Sequence, residues 1–132
     1  MRKLLIVGQC DFDYQRIRLI ITKSYEIEVH RADSLDDALQ SALDIQFDLI
    51  MINRLLDTDR SEGMAVLHEL KSNPATENTP AMIISDYQET QDAAVAAGAK
   101  RGFGKASLDA PETFELLSVF LTDRTILTDR TI

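Results

Sequence analysis

The chain has 132 residues and a net charge of −8, and 45% of its residues are hydrophobic. A chain of this length buries one core of ordinary size and has no room for a second. The excess of acidic residues repels phosphate backbones and anionic lipid, which argues against a nucleic acid or a membrane as a partner. The single cysteine, Cys10, excludes an internal disulfide bond. No apolar run is long enough for a membrane span, and the first residues do not form a secretory signal, so we expect one cytoplasmic domain.

Short apolar segments alternate with amphipathic segments along the chain, a pattern typical of α/β proteins with a parallel sheet. Three segments are continuously apolar, as strands covered on both faces must be: residues 4–7, 49–52 and 81–84. Residues 26–30 alternate between apolar and polar side chains, which predicts an edge strand. Residues 101–105 are predicted to form a fifth strand.

Five helices are predicted between and after these strands. Their apolar stripes lie in residues 14–21, 35–43, 64–70, 90–97 and 114–121. Ser34 is placed to cap the second helix, Gly98 to end the fourth, and Pro111 to lie in the first turn of the last.

The segment Leu-Thr-Asp-Arg-Thr-Ile of residues 121–126 is repeated at once in residues 127–132. Two copies of six residues are too short for a repeat architecture, and Thr and Ile are poor helix formers, so a frayed tail is expected rather than a functional element. We therefore expect a domain over residues 1–121 followed by a tail over residues 122–132.

The residues that follow the predicted strands are the candidates for chemistry, because ligands of open parallel sheets collect beyond the carboxyl ends of the central strands. Those positions hold Gly8, Gln9, Cys10, Asn53, Ser85, Asp86 and Lys105.

Three segments resemble, in order and spacing, the receiver domain of two-component response regulators. They are FDLIMIN at residues 47–53, TPAMIIS at residues 79–85 and GAKRGFGK at residues 98–105. The resemblance covers the chain from about Lys3 to Leu121 and implies a doubly wound, five-stranded parallel sheet in the order 2-1-3-4-5. It also implies an aspartate after the third strand that accepts a phosphoryl group, two acidic residues after the first strand that hold Mg²⁺, and a Ser or Thr and a Lys that respond to the phosphate.

The matching positions of this chain keep the responding residues and lack the reacting ones. The phosphoacceptor position is Asn53, the acidic pair is replaced by Gly8 and Gln9, and the hydroxyl and lysine positions are Ser85 and Lys105. A neutral carboxamide lacks the anionic oxygen that attacks phosphorus to form an acyl phosphate, and Mg²⁺ prefers anionic oxygen ligands. The sequence therefore predicts a vestigial phosphoacceptor pocket with no metal, no cofactor and no enzymatic activity.

Other departures from the family pattern concern the mouth of this pocket. The loop from Asn53 to Gly63 is longer than the acidic loop of the family, and Asp86 stands where a small residue is usual. Gly102 occupies the aromatic switch position, and Ala106 replaces the proline that usually follows the lysine.

These residues lead to the hypothesis of a pseudo-receiver, a receiver-like signalling module of two-component signalling and phosphorelay systems that acts without phosphorylation. Its partner would be another signalling protein or a second copy of the chain. The resemblance implies that the contact surface lies on the fourth helix, the fifth strand and the fifth helix, where it would include Tyr87, Val95 and Phe103.

Two alternatives remain open at this point. An atypical receiver would take its phosphoryl group on a displaced aspartate, namely Asp11, Asp13 or Asp57, and a flavodoxin-like domain would bind a small anion or nucleotide. The sequence lacks a glycine-rich phosphate loop, which argues against the flavodoxin-like domain. Asp11 or Asp13 has the simpler role of capping the first helix, which argues against the atypical receiver.

The other polar residues near the pocket have equally simple interpretations. Asp57, Asp59 and Asp86 would form either a charged pocket with Lys105 or a solvated acidic loop. Cys10 is expected to be an inert, buried residue. Ser85 is expected to hydrogen-bond locally, because no general base adjoins it in the sequence.

Overall fold

The computed structural model describes residues 1–122 of the chain. Within them the elements are β1 (Arg2–Val7), α1 (Asp11–Ser24), β2 (Ile27–Ala32), α2 (Leu35–Asp44), β3 (Leu49–Asn53), α3 (Gly63–Ser72), β4 (Ala81–Ile84), α4 (Gln88–Ala96) and α5 (Pro111–Leu121). A short 3-10 turn, Lys105–Ser107, lies between α4 and α5. The predicted tail lies outside the described residues except for Thr122.

The strands form one parallel sheet in the order β2-β1-β3-β4. Leu4 of β1 pairs with Leu49 of β3, and Ile50 of β3 pairs with Ala81 of β4. β1 and β3 are therefore central, which explains why their sequences are continuously apolar, while the alternating β2 lies at an edge as predicted. The α/β class is confirmed.

Helices cover both faces of the sheet, because successive strand residues point to opposite sides. Leu5 and Val7 belong to the core cluster beneath α2, α3 and α4, and Leu4 and Ile6 belong to the cluster beneath α1 and α5. All four side chains are fully buried. This arrangement brings the carboxyl ends of the strands to one edge of the molecule.

The predicted helix ends are found where local chemistry places them. The Ser34 hydroxyl accepts a hydrogen bond from the Asp37 amide at 3.1 Å, Pro111 is in the first turn of α5, and Gly98 follows α4 with a φ of 103°. The first helix differs from the expectation, because its cap is Cys10, whose sulfur accepts from the Asp13 amide at 3.5 Å. Neither Asp11 nor Asp13 caps α1.

The predicted fifth strand is wrong for the described residues, and the buried side chain of Gln91 explains why. The Gln91 amide nitrogen donates to the carbonyl oxygens of Ile83 and Ser85 at 2.9 and 3.1 Å, and its amide oxygen accepts from the Gly102 amide at 2.7 Å. The segment after α4 still runs beside β4, since Ser85 donates a backbone hydrogen bond to Phe103 at 2.9 Å. Gln91 thus occupies the place where a ladder of backbone bonds would join a fifth strand to β4.

Phe103 is also placed differently from the prediction that it contributes to an exposed contact surface. Only 7% of it is exposed, and it packs in the core cluster beneath α1 and α5. The neighbouring Gly102 lies so close to the carbonyl oxygen of Ile83 that a Cβ atom would overlap it. The segment is therefore held against the sheet, and the Phe103 ring fills the core instead of facing solvent.

No helix within residues 1–122 has both the length and the apolar character that crossing a membrane requires.

Candidate functional site

The carboxyl edge of the sheet holds a cleft of about 360 Å³, which we call the Asn53 cleft. It is lined by Asn53, Arg54, Leu55, Arg60, Ile84, Ser85, Asp86, Tyr87 and Lys105. Three of the five residues predicted for the vestigial pocket therefore share one cleft. The other two, Gly8 and Gln9, line a separate cleft of about 170 Å³ on the β2 side.

Asn53 is fixed at the end of β3 by both of its donor hydrogens. Its amide nitrogen donates to the carbonyl oxygens of Gly8 at 3.2 Å and of Leu55 at 2.9 Å. A carboxylate in this place would set oxygen against oxygen, because it has no hydrogen to donate when ionised. The surrounding backbone is therefore arranged for an amide, and the amide cannot form an acyl phosphate.

Gly8 is required by the packing of the loop after β3. Its φ is 79°, and a Cβ atom at Gly8 would collide with the side chain of Leu56, which is fully buried. The loop is closed by a bridge between Leu55 and Glu62, and the Asp57 amide donates to the Gly8 carbonyl at 2.9 Å. An apolar side chain from the loop thus fills the space that an acidic side chain at position 8 would need.

The side chain of Gln9 is buried just beyond the end of β1. It is 2% exposed, and neither its amide nitrogen nor its amide oxygen has a hydrogen-bond partner among the described residues. Burying an amide in this way costs about 1–3 kcal/mol. Gln9 therefore supplies no charge to the edge of the sheet.

Lys105 forms an ion pair with Asp13 of α1. The distance from its ammonium nitrogen to Asp13 Oδ2 is 2.6 Å, and the two side chains are 34% and 23% exposed. The hydrogen bond from Lys105 is the main cause that holds the pKa of Asp13 below its ordinary value, and it outweighs partial burial, which acts in the opposite direction. Asp13 therefore stays ionised and neutralises the lysine that the resemblance assigns to a phosphate.

The remaining aspartates near the edge have other partners. Asp11 is 92% exposed and pairs with Arg31 at 2.8 Å. Asp59 accepts hydrogen bonds from the amide and hydroxyl of Ser61 within its own turn. Of the three aspartates considered as partners of Lys105, Asp59 is thus engaged within its own turn, Asp57 lines the smaller cleft, and Asp86 lines the Asn53 cleft together with Lys105.

Ser85 is buried, and its hydroxyl oxygen accepts a hydrogen bond from the Tyr87 amide at 3.1 Å. This bond begins the turn into α4. Asp86, which follows, has its carboxylate against Gly104, where a Cβ atom would overlap it. The glycine therefore accommodates the larger residue at position 86.

Two arginines of the cleft, Arg54 and Arg60, were not among the residues singled out from the sequence. Arg54 directly follows Asn53, and its guanidinium lies over the Tyr87 ring at 4.9 Å from the ring centre. Arg60 is held in the left-handed region with a φ of 61°. The only signal for Arg54 was its position after a strand end, and Arg60 reaches the cleft through loop folding that no local pattern predicts.

Solved structures of similar shape are response-regulator proteins. NtrX from Brucella abortus superposes with a TM-score of 0.75 at 22% identity, over 99% of this chain and 29% of that one. The isolated receiver domain of the same NtrX gives a TM-score of 0.69 at 24% identity, over 88% of this chain and 92% of that one. The chemotaxis protein CheY4 of Vibrio cholerae gives 0.73 at 21% identity, over 92% and 99%.

This chain has the receiver-domain fold. The match to nearly all of an isolated receiver domain decides this, whereas the chain spans less than a third of the full NtrX structure. No protein-family model matches the sequence, and no curated protein matches it. The resemblance drawn from the sequence is thus confirmed for the receiver fold, with the correction that four strands in the order 2-1-3-4 are present within residues 1–122.

The Mg²⁺ site that the receiver fold implies does not fit the residues present. Gly8 brings no side chain and is packed against Leu56, and the Gln9 amide is neutral and buried. Asn53 uses both of its amide hydrogens on backbone carbonyls. Among residues 1–122, no three His, Cys, Asp or Glu side chains are grouped so as to hold a metal ion. The receiver fold is kept here without acidic side chains at the three positions that would hold the divalent cation.

Proposed function

We propose that this chain is a pseudo-receiver, a member of the response-regulator receiver family that signals through protein–protein contact in the cytoplasm and does not depend on phosphorylation. The observation that carries the proposal is the pair of hydrogen bonds from the Asn53 amide to the carbonyl oxygens of Gly8 and Leu55. The backbone carbonyl oxygens around the phosphoacceptor position accept hydrogen bonds from an amide, and an ionised carboxylate there has no hydrogen to donate to them. Under this proposal the domain is not an enzyme and binds neither nucleic acid nor membrane.

The alternative with one observation in its favour is phosphorylation of a displaced aspartate. Asp13 is the candidate nearest to the Asn53 cleft, because it contacts Lys105 directly. Its carboxylate is already neutralised by that lysine, and the positions that would hold Mg²⁺ carry no charge. These features favour the pseudo-receiver over phosphorylation of Asp13.

Intact-mass measurement separates these two functions. The protein is incubated with Mg²⁺ and a small phosphoryl donor such as acetyl phosphate, and the Asp13→Asn variant is treated in parallel. The pseudo-receiver shows no stoichiometric gain of phosphate mass in either sample. A gain that Asp13→Asn abolishes would establish the alternative, and a gain that survives in the variant would move the site to another residue.

The contact surface of the pseudo-receiver is proposed to lie on α4. Tyr87 and Val95 are 60% and 42% exposed, and the small residues Ala93 and Ala96 are exposed on the same helix. Small side chains let a partner approach the helix backbone closely. Phe103 is not part of this surface, because it is buried in the core.

Sedimentation and partner-binding measurements test the α4 surface. Val95→Asp places a charge at its centre and is expected to abolish self-association or binding of a signalling partner. Leu43→Asp is the matched control, because Leu43 is a similarly exposed apolar residue on α2. Equal effects of the two substitutions would contradict a contact surface on α4.

A further inference from the structure

Two arginines of the Asn53 cleft have no carboxylate partner among the described residues. The arginines that form ion pairs within residues 1–122 are Arg2, Arg31 and Arg101, and no ion pair there uses Arg54 or Arg60. Both arginines line the same cleft together with Lys105. Three residues with cationic side chains therefore line one cleft at the edge where the resemblance to receivers implies carboxylates and a metal ion.

The cleft differs in charge from the chain as a whole. Its lining contains Arg54, Arg60 and Lys105 against one carboxylate, that of Asp86. Counting Asp13, which pairs with Lys105, still leaves one net positive charge. The full chain carries −8, so this cleft is a place where an anion is attracted rather than repelled.

Separate contacts hold the guanidinium of Arg54 and the backbone of Arg60. Arg54 lies over the Tyr87 ring, a cation–π contact that restricts its guanidinium to the cleft wall. The backbone of Arg60 is held by a 2.8 Å hydrogen bond from its amide to the Leu56 carbonyl oxygen. Its left-handed φ costs about 1–3 kcal/mol, a strain that proteins tolerate mainly at functional positions.

Ser85 adds a neutral donor to the same wall. Its hydroxyl oxygen accepts from the Tyr87 amide, which leaves its hydrogen available to donate toward the cleft. Arginine offers a planar pair of donors that suits phosphate oxygens. Guanidinium, ammonium and hydroxyl groups are the kinds of donor that phosphate oxygens accept hydrogen bonds from.

We propose that the Asn53 cleft binds a small phosphate-bearing anion, noncovalently and without a divalent cation, through Arg54, Arg60 and Lys105. The cleft volume of about 360 Å³ is at the small end of the range for ligand pockets, about 300–1,000 Å³, which favours a small anion. The inference deepens the proposed function, on which it rests: reversible occupation by a ligand would take the place of covalent phosphorylation.

Titration with inorganic phosphate and pyrophosphate in EDTA, at constant ionic strength, tests the site. Backbone amide chemical shifts are expected to change saturably at residues 53–60 and 85–87. Arg60→Asn, in which asparagine tolerates a positive φ, is expected to weaken binding about tenfold through loss of a charge-assisted hydrogen bond. Arg18→Asn is the control, because Arg18 is an exposed arginine of α1 and the substitution changes the net charge equally.

A second variant shifts affinity in the opposite direction. Asp13→Asn releases Lys105 from its ion pair and is expected to tighten phosphate binding several-fold. A titration with free phosphoserine shows whether the bound phosphate group comes from a phosphorylated side chain or from free phosphate. Tighter binding of phosphoserine than of inorganic phosphate identifies a phosphorylated side chain. Saturable binding of either compound supports the site.

Three results would overturn the inference: no saturable binding, binding that requires Mg²⁺, or equal weakening by Arg60→Asn and Arg18→Asn. The failure of this inference is distinguishable from the failure of the proposed function. Covalent phosphorylation appears as a gain of mass that persists after the donor is removed, whereas the proposed anion is lost on dialysis.

Discussion

The ammonium group of Lys105 lies 2.6 Å from Asp13 Oδ2, and these residues are 92 positions apart in the sequence. The pair joins the segment after α4 to the first turn of α1. In a receiver-type cleft the lysine would face a phosphoryl group, whereas here a carboxylate of the same chain already faces it. The ion pair therefore couples the stability of the fold to the availability of Lys105 for a ligand.

Asp13→Asn is expected to destabilise the protein at neutral pH by about 1 kcal/mol, the upper range for a partly exposed ion pair. The pKa of Asp13 is lower in the folded state than its ordinary value of 3.8, so its contribution is present above that value and is lost as the pH falls through the folded-state pKa. Urea unfolding of both proteins from pH 7 to pH 2.5 measures this. If the difference in unfolding free energy between the two proteins stayed constant from pH 7 to pH 2.5, the Asp13–Lys105 ion pair would not be its cause.

Asn53→Asp is expected to destabilise the protein rather than restore phosphorylation. At pH 7 the introduced carboxylate faces the carbonyl oxygens of Gly8 and Leu55, which should cost about 2 kcal/mol. Chemical unfolding measures the cost, and intact mass after treatment with acetyl phosphate and Mg²⁺ should stay unchanged. Asn78→Asp is the control, since Asn78 is exposed. Efficient phosphorylation of Asn53→Asp would show that the cleft is still competent.

Comparing Gly8→Ala with Gly98→Ala separates the cost of backbone strain from the cost of crowding against a neighbouring side chain. At Gly98, with a φ of 103°, an added Cβ meets only the flexible side chain of Lys71, so Gly98→Ala should cost about 1–2 kcal/mol for the backbone alone. Gly8→Ala adds the collision with Leu56 and should cost roughly 1–3 kcal/mol more. The double variant Gly8→Ala, Leu56→Ala should show favourable coupling in unfolding measurements, and strict additivity would refute the crowding.

Gln91→Leu should detach the segment after α4 from the sheet. The substitution leaves the carbonyl oxygens of Ile83 and Ser85 and the amide of Gly102 without partners, at a cost of roughly 2–4 kcal/mol. Hydrogen exchange at the Gly102 amide should become faster. Gln88→Leu, on the exposed surface of the same helix, is expected to change stability little. Unchanged exchange in Gln91→Leu would disprove the bridging role.

Gln9→Met is expected to stabilise the protein by about 1 kcal/mol, because a side chain of similar size replaces a buried amide that has no partner within the described residues. Thermal unfolding at neutral pH measures the change. A loss of stability would mean that the amide of Gln9 makes a stabilising contact, for example with a buried water molecule.

The sequence predicted β1 to β4 and all five helices because these depend on local periodicity, but β4, which was expected to be central, lies at an edge of the sheet within the described residues. It failed at residues 101–105, where a strand needs a free neighbouring edge. The carbonyl oxygens of Ile83 and Ser85 are taken by Gln91, and no pattern around Gln91 indicates that its side chain turns inward. The same failure placed Phe103 on the surface, because an aromatic residue between two glycines gives no sign of the core it enters.

The sequence by itself determined the α/β class, the parallel sheet and the absence of a carboxylate at Asn53, because periodicity and side-chain chemistry are properties of each segment. Only the tertiary structure decided that Asp13 faces Lys105, that Leu56 fills the space beside Gly8, and that two arginines without an ion pair inside residues 1–122 line the cleft. Each of these relations joins residues from different elements. They depend on how the loops pack and on which charged groups folding brings together. No local sequence pattern predicts either of these.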